Sequence, residues 1–498
     1  FEENSTIPST IKRECEQILR KLPNFKEYLN LPEFDMITRL LEKGVAIHHS
    51  GIMPIFREMI ELLFSKGYIK LLFATETFAV GINMPTKTVI FTGFDKFNGT
   101  SMRMLYPHEY TQMAGRAGRR GLDTIGHVIH LNNMFELPYS KDYEQMITGN
   151  PQLLQSKFQI SYNLVLNFLQ FNNNTLDFAN KSMCNGEIEK NITGIEEHII
   201  TLKNNLEKKY TNPTYQYVIT NKDTFEKYIQ LNEDLKTSKQ KARKQIQRTL
   251  ENISNGDKQF KNHLEQFNAL INGKKEIQDY EERIVSLKQY FQSSFNNITS
   301  FLQCYHFIDN DNKTTEKGVI ATYIQETHCL AFTVLLVNSN YFNDFSSYEI
   351  AAILSCFSNI RIKEDNKIHN TSTLTSNTNL NILLNNMKNI YENYNSEELR
   401  YNIETNDSSL YIFELVNPIL NWCESENEQS CKEIIKKCEY DFEIFTGEFI
   451  KAILKINNMV NELKNVAEFL GNVELLHKLV EIPELTLKFI ATNQSLYI

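Results

Sequence analysis

Paired cysteines and long apolar runs are both missing from this sequence of 498 residues. Its eight cysteines are scattered, and none belongs to a Cys-x-x-Cys pair. This spacing argues against a disulfide scaffold and against a zinc site, and it indicates reduced thiols. No apolar run approaches the roughly 20 residues that a membrane-spanning helix needs, and no signal-peptide pattern is present. We therefore expect an intracellular protein, cytoplasmic or nuclear, without a membrane partner.

Positive charge is also in deficit, since the formal net charge is -9. An overall excess of acid argues against a protein that binds nucleic acid by charge alone, although local basic faces stay open. Hydrophobic residues make up 41% of the chain, which together with its length suggests several globular domains. The sequence begins with Phe1 rather than methionine, so we expect the natural chain to begin upstream.

Residues 1–135 have the pattern of an α/β domain. A helical spacing of apolar residues in IFREMIELLFSKGYI is followed by short apolar runs typical of buried parallel strands, KLLFAT, KTVIFTGF and HVIHL. The alternation of strand and helix predicts a doubly wound sheet, whose ligands bind at the carboxyl ends of the strands. The segments ATETFAVGINMP and QMAGRAGRRG fall at such ends.

The most informative segment is YTQMAGRAGRRGLD, residues 110–123, which places three arginines among three glycines. Because the arginines repel one another, this spacing favours an anionic partner, and a guanidinium fork matches the oxygens of a phosphate. We expect Arg116 and Arg119 to lie on one face of the first turn of a helix. Gln112 and Gly115 belong to the same segment. The alternative is a surface cluster of salt bridges.

Two further strand ends carry small and polar residues. ATETFAVGINMP holds Thr75 and Thr77, then Gly81 and Asn83, and hydroxyls with backbone amides at a strand end suit a nucleic-acid phosphate. The alternative is an ordinary helix cap by one of the threonines. The third segment, VAIHHSG, contains His49. Its alternative is a plain turn with a structural histidine, and no metal-binding spacing surrounds it.

A heptad pattern separates this first part from the last. Ile188, Ile192, Ile195, Ile199, Leu202 and Leu206 step by four and three residues, and Ile277, Tyr280, Ile284, Leu287 and Phe291 repeat the pattern. We predict an antiparallel helical stalk over residues 186–295, weakened somewhat by Gly194. Its outer part includes residues 236–248, with six basic residues and no acidic residue. This run predicts either a salt-sensitive RNA-binding patch or, slightly favoured, a solvated helix face.

The chain becomes globular again after residue 295. FIDNDNKTTEKGVIATYI suggests a turn with a pair of strands, and the remainder has helical periodicity up to Ile498. Ser346 and Glu349 have the spacing of a capping box. Near the end, Lys451, Lys455 and Asn458 step by four and three along one helix face.

Taken in this order, these segments resemble the second motor domain of superfamily-two helicases, and most closely the superkiller-type, exosome-associated DExH-box RNA helicases. The likeness is carried by GVAIHHSGIMPIFREMIELLFSKGYIKLLFATETFAVGINMPTKTVIF and QMAGRAGRRGLD. QSKFQISYNLVLNFL resembles the start of that family's winged-helix domain, with residues 296–330 as its completion. FTGEFIKAILKINNMVNELKNVAEFLGNVELL, FSSYEIAAILSCF and ATNQSLYI are similar to its C-terminal helical domain.

The resemblance implies a fold and a division into domains. The fold would be an α/β RecA-like second helicase domain, followed by a winged-helix domain and an α-helical C-terminal domain of ratchet type, with an inserted helical stalk. The corresponding boundaries are 1–135, then 136–185 with 296–335, then 336–498, with the stalk at 186–295. The stalk occupies the place where exosome-associated relatives insert their arch.

The resemblance also implies roles for residues. Gln112, Arg116 and Arg119 match the motif that faces ATP on the other motor domain, with the arginines as fingers. Gly81 and Asn83 match the motif that couples the nucleotide to RNA, and Gly115 is assigned with them to nucleotide binding. The resemblance also assigns RNA binding to five residues, Thr75, Thr77, His49, Lys451 and Lys455. For the two lysines the alternative is a solvated helix face. Residues 92–108 correspond to a hairpin that helps to part the duplex in relatives.

The sequence contains neither a GxxxxGK[ST] loop nor a DExH box. ATP with Mg²⁺ would accordingly be gripped by a first motor domain outside these residues. The expected function is an ATP-dependent RNA helicase, moving 3′ to 5′ in RNA processing or decay, with RNA, the first motor domain and RNA-decay complex subunits as partners. The alternatives are a DNA helicase of the same superfamily and a scaffold that binds RNA without a motor.

Overall fold

The structure is a computed structural model that divides into two compact units, Phe1–Leu154 with His306–Ile498, and Gln155–Tyr305. We call the first the outer unit, because its two segments precede and follow the other unit in the sequence, and we call the second the stalk unit. The residues that the structure describes are 7–76, 86–97, 101–119, 121, 123–134, 136, 138–150, 154–171, 173–403, 411–492 and 494–496.

The first part of the outer unit alternates helices and strands, as the sequence predicted. Its helices are α1 (Ile7–Leu19), α2 (Phe25–Leu29), α3 (Pro32–Glu42), α4 (Pro54–Ser65), α5 (Pro107–Ala114) and α6 (Ser140–Thr148). Its strands are β1 (Val45–His48), β2 (Leu71–Ala74), β3 (Thr88–Phe91), β4 (Asp95–Phe97), β5 (Met102–Met104) and β6 (His127–His130). Helices α3, α4 and α5 each begin with a proline, whose fixed φ suits the first turn.

The strands pair in parallel where the apolar runs predicted it. Strand β1 pairs with β2, and β3 pairs with β6, while β4 and β5 form an antiparallel hairpin. The prediction of one doubly wound sheet is corrected in this respect: among the described residues the parallel strands form two separate pairs. Residues 77–85, which lie between β2 and β3 in the chain, are outside the described residues.

Aromatic packing fixes helix α5 against the second strand pair. Phe91, Phe94, Leu105, Tyr110 and Met146 form one buried cluster, and the rings of Phe91 and Tyr110 stack with centroids 5.1 Å apart. Burying rings of this size provides much of the local stabilisation. The cluster therefore holds the base of the β4–β5 hairpin and the helix that leads into the arginine-rich loop.

The described part of the stalk unit contains helices and no strand. They are α7 (Tyr162–Gln170), α8 (Thr175–Asn180), α9 (Met183–Thr211), α10 (Gln216–Thr220), α11 (Lys222–Thr237), α12 (Gln240–Asn255), α13 (Phe260–Lys288) and α14 (Tyr290–Cys304).

The two long helices, α9 and α13, run antiparallel along the apolar seam that the heptads predict. Ile192, Ile195 and Ile199 pack against Ile277 and Ile284. Ion pairs flank the seam in the order that antiparallel packing requires, from Glu196–Lys288 to Lys203–Glu281. At the outer end, helices α10 to α13 enclose a second cluster around Phe225, Phe260 and Phe267. The basic residues of α12 are exposed.

The second part of the outer unit is helical. Its helices are α15 (Glu316–Tyr323), α16 (Cys329–Asn338), α17 (Ser347–Ser355), α18 (Thr378–Arg400), α19 (Val416–Glu424), α20 (Glu428–Phe442), α21 (Thr446–Leu470) and α22 (Val473–Thr486). The predicted capping box of Ser346 and Glu349 is confirmed at the start of α17. The predicted strand pair is wrong: only an isolated bridge, Ile308 with Thr314, forms there. The apolar run that follows is helix α15, which Thr315 caps by accepting the N–H of Gly318.

Helix α21 joins the two parts of the outer unit. Its apolar residues are buried along most of its length, and its first turn packs against the loop after β1. A Cβ placed on Gly447 would lie only 2.8 Å from the carbonyl oxygen of Gly51, so a side chain here would force the two backbones apart. The buried Tyr28 hydroxyl donates to the carbonyl of Ile490 at 2.9 Å, which ties the last residues to α2.

Candidate functional site

The carboxyl ends of β1 and β2 meet at one edge. His48 is level with Ala74 in the parallel register, and the backbone N–H of Thr75 donates to the carbonyl of His48 at 3.2 Å. His48 is buried and hydrogen-bonds Glu61 on α4 at 2.7 Å, whereas His49 is exposed. The pairing thus brings His49 and Thr75, both candidate RNA ligands, to adjacent positions.

The arginine-rich loop is fixed to the backbone just before β3. The N–H of Thr86 donates to the carbonyl of Arg116 at 2.9 Å, and the N–H of Gly118 donates to the carbonyl of Thr86 at 2.7 Å. These two bonds form a parallel bridge between Thr86 and Ala117. The loop therefore lies against the end of the segment that runs from Thr75 to Thr86.

Arg116 and Arg119 do not lie on the first turn of a helix, so this expectation is wrong. Helix α5 ends at Ala114 with Gly115 as its C-cap, and both arginines follow that end. The helix cannot continue because Gly118 and Gly121 have φ of +93° and +81°, the left-handed region that glycine adopts at little cost. The chain also turns back on itself here: a Cβ on Gly126 would lie 2.4 Å from the carbonyl oxygen of Ala117.

Arg119 is held by Asp123, which sequence reasoning did not single out. Its Nε donates to Oδ2 at 2.8 Å and its Nη2 donates to Oδ1 at 3.0 Å. The side chain of Arg119 is 45% exposed and that of Asp123 only 8%. Hydrogen bonds from the guanidinium and from the backbone N–H of Arg119 lower the pKa of the Asp123 carboxyl to about 2. The signal for it was an acid four residues after the arginine.

Gln112 and Arg116 are placed differently from Arg119. Gln112 is exposed on α5, and Arg116 is partly buried in the loop that follows. The N–H of Arg116 donates to the carbonyl of Met113 at 3.1 Å. Gln112 therefore lies in the last turn of α5, and Arg116 lies in the turn that follows directly.

Glu109 joins the β4–β5 hairpin to helix α5. It accepts hydrogen bonds from Arg103 on β5 at 2.7 and 2.8 Å, from Lys96 on β4 at 2.9 Å, and from the N–H of Tyr106 at 2.8 Å. Lys96 also pairs at 2.6 Å with Glu76, the residue after Thr75. The hairpin lies within the range 92–108, for which the sequence predicted one, and these ion pairs attach it to both candidate motifs.

Lys451 reaches the loop after β1. Its ammonium donates to the carbonyl of Ser50 at 3.2 Å, next to His49. Partial burial lowers the pKa of Lys451, and the nearby charge of Arg57 on α4 lowers it further. Both effects disfavour the charged ammonium, whereas the nearby carboxylate of Glu448 opposes them. Two cations, Lys451 and Arg57, thus lie near each other at this corner. Arg57 is a second residue that the sequence did not single out.

Lys455 is paired with an acid, unlike the solvated or RNA-contacting lysine that the sequence suggested. It lies 3.5 Å from the carboxylate of Glu326, and its side chain is only 14% exposed. Asn458, one turn further on, donates to the same carboxylate at 3.2 Å. Of the three polar residues on this helix face, Lys451 is the one in contact with a candidate strand-end loop.

Two family descriptions match the chain. Residues 12–121 match the helicase conserved C-terminal domain, and residues 311–492 match the DSHCT (NUC185) domain. The antiviral helicase SKI2 of Saccharomyces cerevisiae is 51% identical over 146 residues, which is 29% of this chain and 11% of that protein. Superkiller complex protein 2 of Homo sapiens is 50% identical over 140 residues, 28% of this chain and 11% of that protein.

These matches show that the chain is similar to the C-terminal portion of superkiller-type DExH-box helicases. Exosome RNA helicase MTR4 of Homo sapiens is a further relative, 39% identical over 206 residues, or 41% of this chain and 19% of that protein. The chain thus aligns with only about a tenth to a fifth of the length of these relatives.

The two matched ranges contain the candidate site of this chain. The first includes His49, Thr75 and the arginine loop up to Gly121, and it shows a RecA-like second helicase domain. The second includes Lys451 and Lys455. Thr77, Gly81 and Asn83 lie outside the described residues, as does Arg120. None of the helices in the described part of the chain has the length and apolar character needed to cross a membrane.

Proposed function

We propose that this chain is the C-terminal part of an ATP-dependent RNA helicase that moves 3′ to 5′ and acts in RNA processing or decay. Its relatives are named as RNA helicases, one of them as a helicase of the exosome. The observation that carries the proposal is the placement of the arginine loop, which is bonded to Thr86 at the end of the segment that begins at Thr75. Lys96 gives further support, because it pairs both with Glu76, the residue after Thr75, and with Glu109 on the helix that leads into the arginine loop.

The arginine loop provides the nucleotide side of the proposed mechanism. ATP with Mg²⁺ is gripped mainly by a first motor domain, and Gln112, Arg116 and Arg119 face its γ-phosphate, with Gly81, Asn83 and Gly115 in the surrounding motifs. In hydrolysis, the oxygen of a water molecule bonds to the γ-phosphorus of ATP while the bond from that phosphorus to the β–γ bridging oxygen breaks. ADP leaves with the bridging oxygen, and the proton of the water passes to the released phosphate. Charge spread over the phosphoryl oxygens is stabilised by guanidinium groups. The exposed guanidinium of Arg119 fits this role.

The strand ends provide the RNA side. Thr75, Thr77 and His49 bind the backbone of the tracking strand, and Lys451 and Lys455 approach it from α21. Hydroxyls, an imidazole and ammonium groups are all donors to phosphate oxygens. The contact between Lys451 and Ser50 supports one continuous surface for this strand. Closure of two motor domains around ATP would shift the grip of Thr75 by a step.

The proposed domain division keeps the boundaries given by the resemblance. Residues 1–135 form the second motor domain, 136–185 with 296–335 a winged-helix domain, 186–295 the inserted stalk, and 336–498 the ratchet-type helical domain. The proposed partners are RNA, the first motor domain and subunits of an RNA-decay complex.

The test is RNA-stimulated ATP hydrolysis and unwinding by a protein in which this chain is joined to its first motor domain. We expect turnover that rises with RNA, and unwinding of RNA duplexes that carry a 3′ single-stranded overhang. Preference for DNA duplexes would instead support a DNA helicase. Absence of hydrolysis alongside intact RNA binding would support a scaffold without a motor.

A further inference from the structure

Hydrogen bonds join both the side chains and the backbones of Arg119 and Asp123, and the arginine side chain stays partly exposed. In addition to the two guanidinium bonds, the backbone N–H of Arg119 donates to Oδ2 of Asp123 at 3.0 Å. The N–H of Asp123 donates back to the carbonyl of Arg119 at 2.9 Å. Both the side chain and the backbone of Arg119 are thus fixed by one residue.

The geometry of the fork decides which donors remain. A guanidinium carries five N–H groups in one plane, and Asp123 engages one on Nε and one on Nη2. The remaining three, two on Nη1 and one on Nη2, point away from this carboxylate. Three coplanar donors at one end of the group match the oxygens of a phosphate.

The exposure of the two side chains agrees with a guanidinium that binds Asp123 on one side and is accessible on the other. The carboxylate of Asp123 is 8% exposed, whereas the arginine side chain is 45% exposed, so the anion lies beneath and the cation is presented. A long arginine side chain has many rotamers in solvent, and fixing one of them before the reaction removes an entropic cost from the barrier. Asp123 also lies just beyond residues 12–121, the matched helicase range.

We propose that Asp123 is a positioning residue that holds the Arg119 guanidinium side-on, so that its free end meets the γ-phosphate. The proposal rests on the proposed function, in which Arg119 is an arginine finger. Asp123 itself does not touch the nucleotide. The opposite role is a latch, in which the carboxylate competes with phosphate for the guanidinium and restrains turnover.

The two roles predict opposite signs for the same variant. In a protein that carries both motor domains, Asp123→Asn keeps an oxygen for the backbone N–H of Arg119 but loses the charged fork. Positioning predicts that kcat for RNA-stimulated ATP hydrolysis falls by about tenfold to a hundredfold, the scale of a misplaced catalytic group. The KM for ATP and the affinity for RNA stay within twofold. An unchanged or raised kcat overturns the proposal.

Further variants separate positioning from a structural role. Asp123→Glu keeps a carboxylate and Asp123→Gln does not, at equal side-chain length, so the glutamate variant must retain clearly more turnover; equal values overturn the proposal. Asp142→Asn, at an exposed position of α6, is the control for loss of an acidic group, and we expect wild-type turnover. Because the Asp123 side chain is only 8% exposed, the melting temperature of each variant is measured, and turnover is compared at a temperature at which every variant is folded.

A double-mutant cycle distinguishes failure of the inference from failure of the proposed function. If Asp123 acts only through Arg119, then Asp123→Asn has no further effect in the Arg119→Ala background. A further loss of similar size in that background overturns the inference alone. Full turnover by Arg119→Ala overturns the finger assignment, and with it the proposal that depends on it.

Discussion

The carboxylate of Glu109 binds the guanidinium of Arg103 through two parallel hydrogen bonds, of 2.7 and 2.8 Å. Glu109 is on helix α5, which leads into the arginine loop, and Arg103 is on the β4–β5 hairpin. The same carboxylate accepts a hydrogen bond from the ammonium of Lys96 on β4. One partly buried acid therefore connects the hairpin to the helix that carries Gln112.

This arrangement predicts a loss of stability in acid. The hydrogen bond from Arg103 is the largest cause that lowers the pKa of Glu109 from its ordinary 4.5 to about 2. Because the folded state has the lower pKa, the stabilisation is complete above pH 4.5 and is lost as the pH falls towards 2. We expect Glu109→Gln to melt at a lower temperature than the wild type at pH 6, and the difference to shrink between pH 4.5 and pH 2.

Thermal melting of both proteins across that pH range provides the measurement. Asp142→Asn serves as a control for the removal of one carboxylate, since Asp142 is exposed, and its difference from the wild type should stay small. A gap between Glu109→Gln and the wild type that stays constant down to pH 2 would contradict the assigned coupling.

Two lysines on α21 give a matched pair for RNA binding. Lys451 contacts the loop beside His49, whereas Lys455 is paired with Glu326. We expect Lys451→Ala to weaken RNA binding and to reduce the salt slope of log Kd by about one, as the loss of one phosphate contact does. Lys455→Ala should change both quantities less. Titrations of single-stranded RNA at several salt concentrations decide the matter, and equal effects of the two substitutions would contradict the placement.

Two glycines in the stalk predict responses of different size to alanine. A Cβ at Gly194 on α9 meets nothing within 4 Å, whereas at Gly273 on α13 it lies 3.1 Å from a methyl group of Leu206. Gly194→Ala should stabilise the stalk by about 0.5–1 kcal/mol, because alanine loses less entropy in a helix. Gly273→Ala should gain less or nothing. Hydrogen exchange of the α9 amides measures the difference, and a larger gain at Gly273 would contradict the packing.

The position of the strand ends was predictable from the sequence because it depends on local patterns. Short apolar runs predicted β1, β2, β3 and β6, and parallel pairing then places His49 and Thr75 at one edge. The seam of the stalk likewise depends on a repeat within each helix. In each case the residues that decide the structure are close together in the chain.

The arginine loop was predicted less well because its shape depends on backbone conformation. The positive φ of Gly118 and Gly121 ends the helix that the spacing of Arg116 and Arg119 suggested. Glycine tolerates many conformations, so its presence does not specify which one forms. The sequence thus singled out the residues of this loop but assigned them the wrong local geometry.

Contacts between distant parts of the chain were not predictable at all. Lys455 faces Glu326, and Lys451 faces Ser50, although equal spacing on α21 made the two lysines equivalent in the sequence. Only the packing of α21 against other elements distinguishes them. The same holds for Lys96, whose two acidic partners precede and follow the hairpin.

The chain by itself should show little or no ATP hydrolysis. The grip on ATP is proposed to come mainly from a first motor domain, and arginine fingers alone neither bind the nucleotide tightly nor orient water. Phosphate release by these 498 residues, with and without RNA, provides the measurement. Robust RNA-stimulated turnover would contradict this assignment of roles.

The most direct test of the motor assignment is the rate of RNA-stimulated ATP hydrolysis after removal of each guanidinium from a protein with both motor domains. We predict that Arg119→Ala and Arg116→Ala each lower kcat by about 10³-fold or more, the scale reported for arginine fingers, while RNA affinity is retained. Hydrolysis at the wild-type rate by both variants would contradict the account.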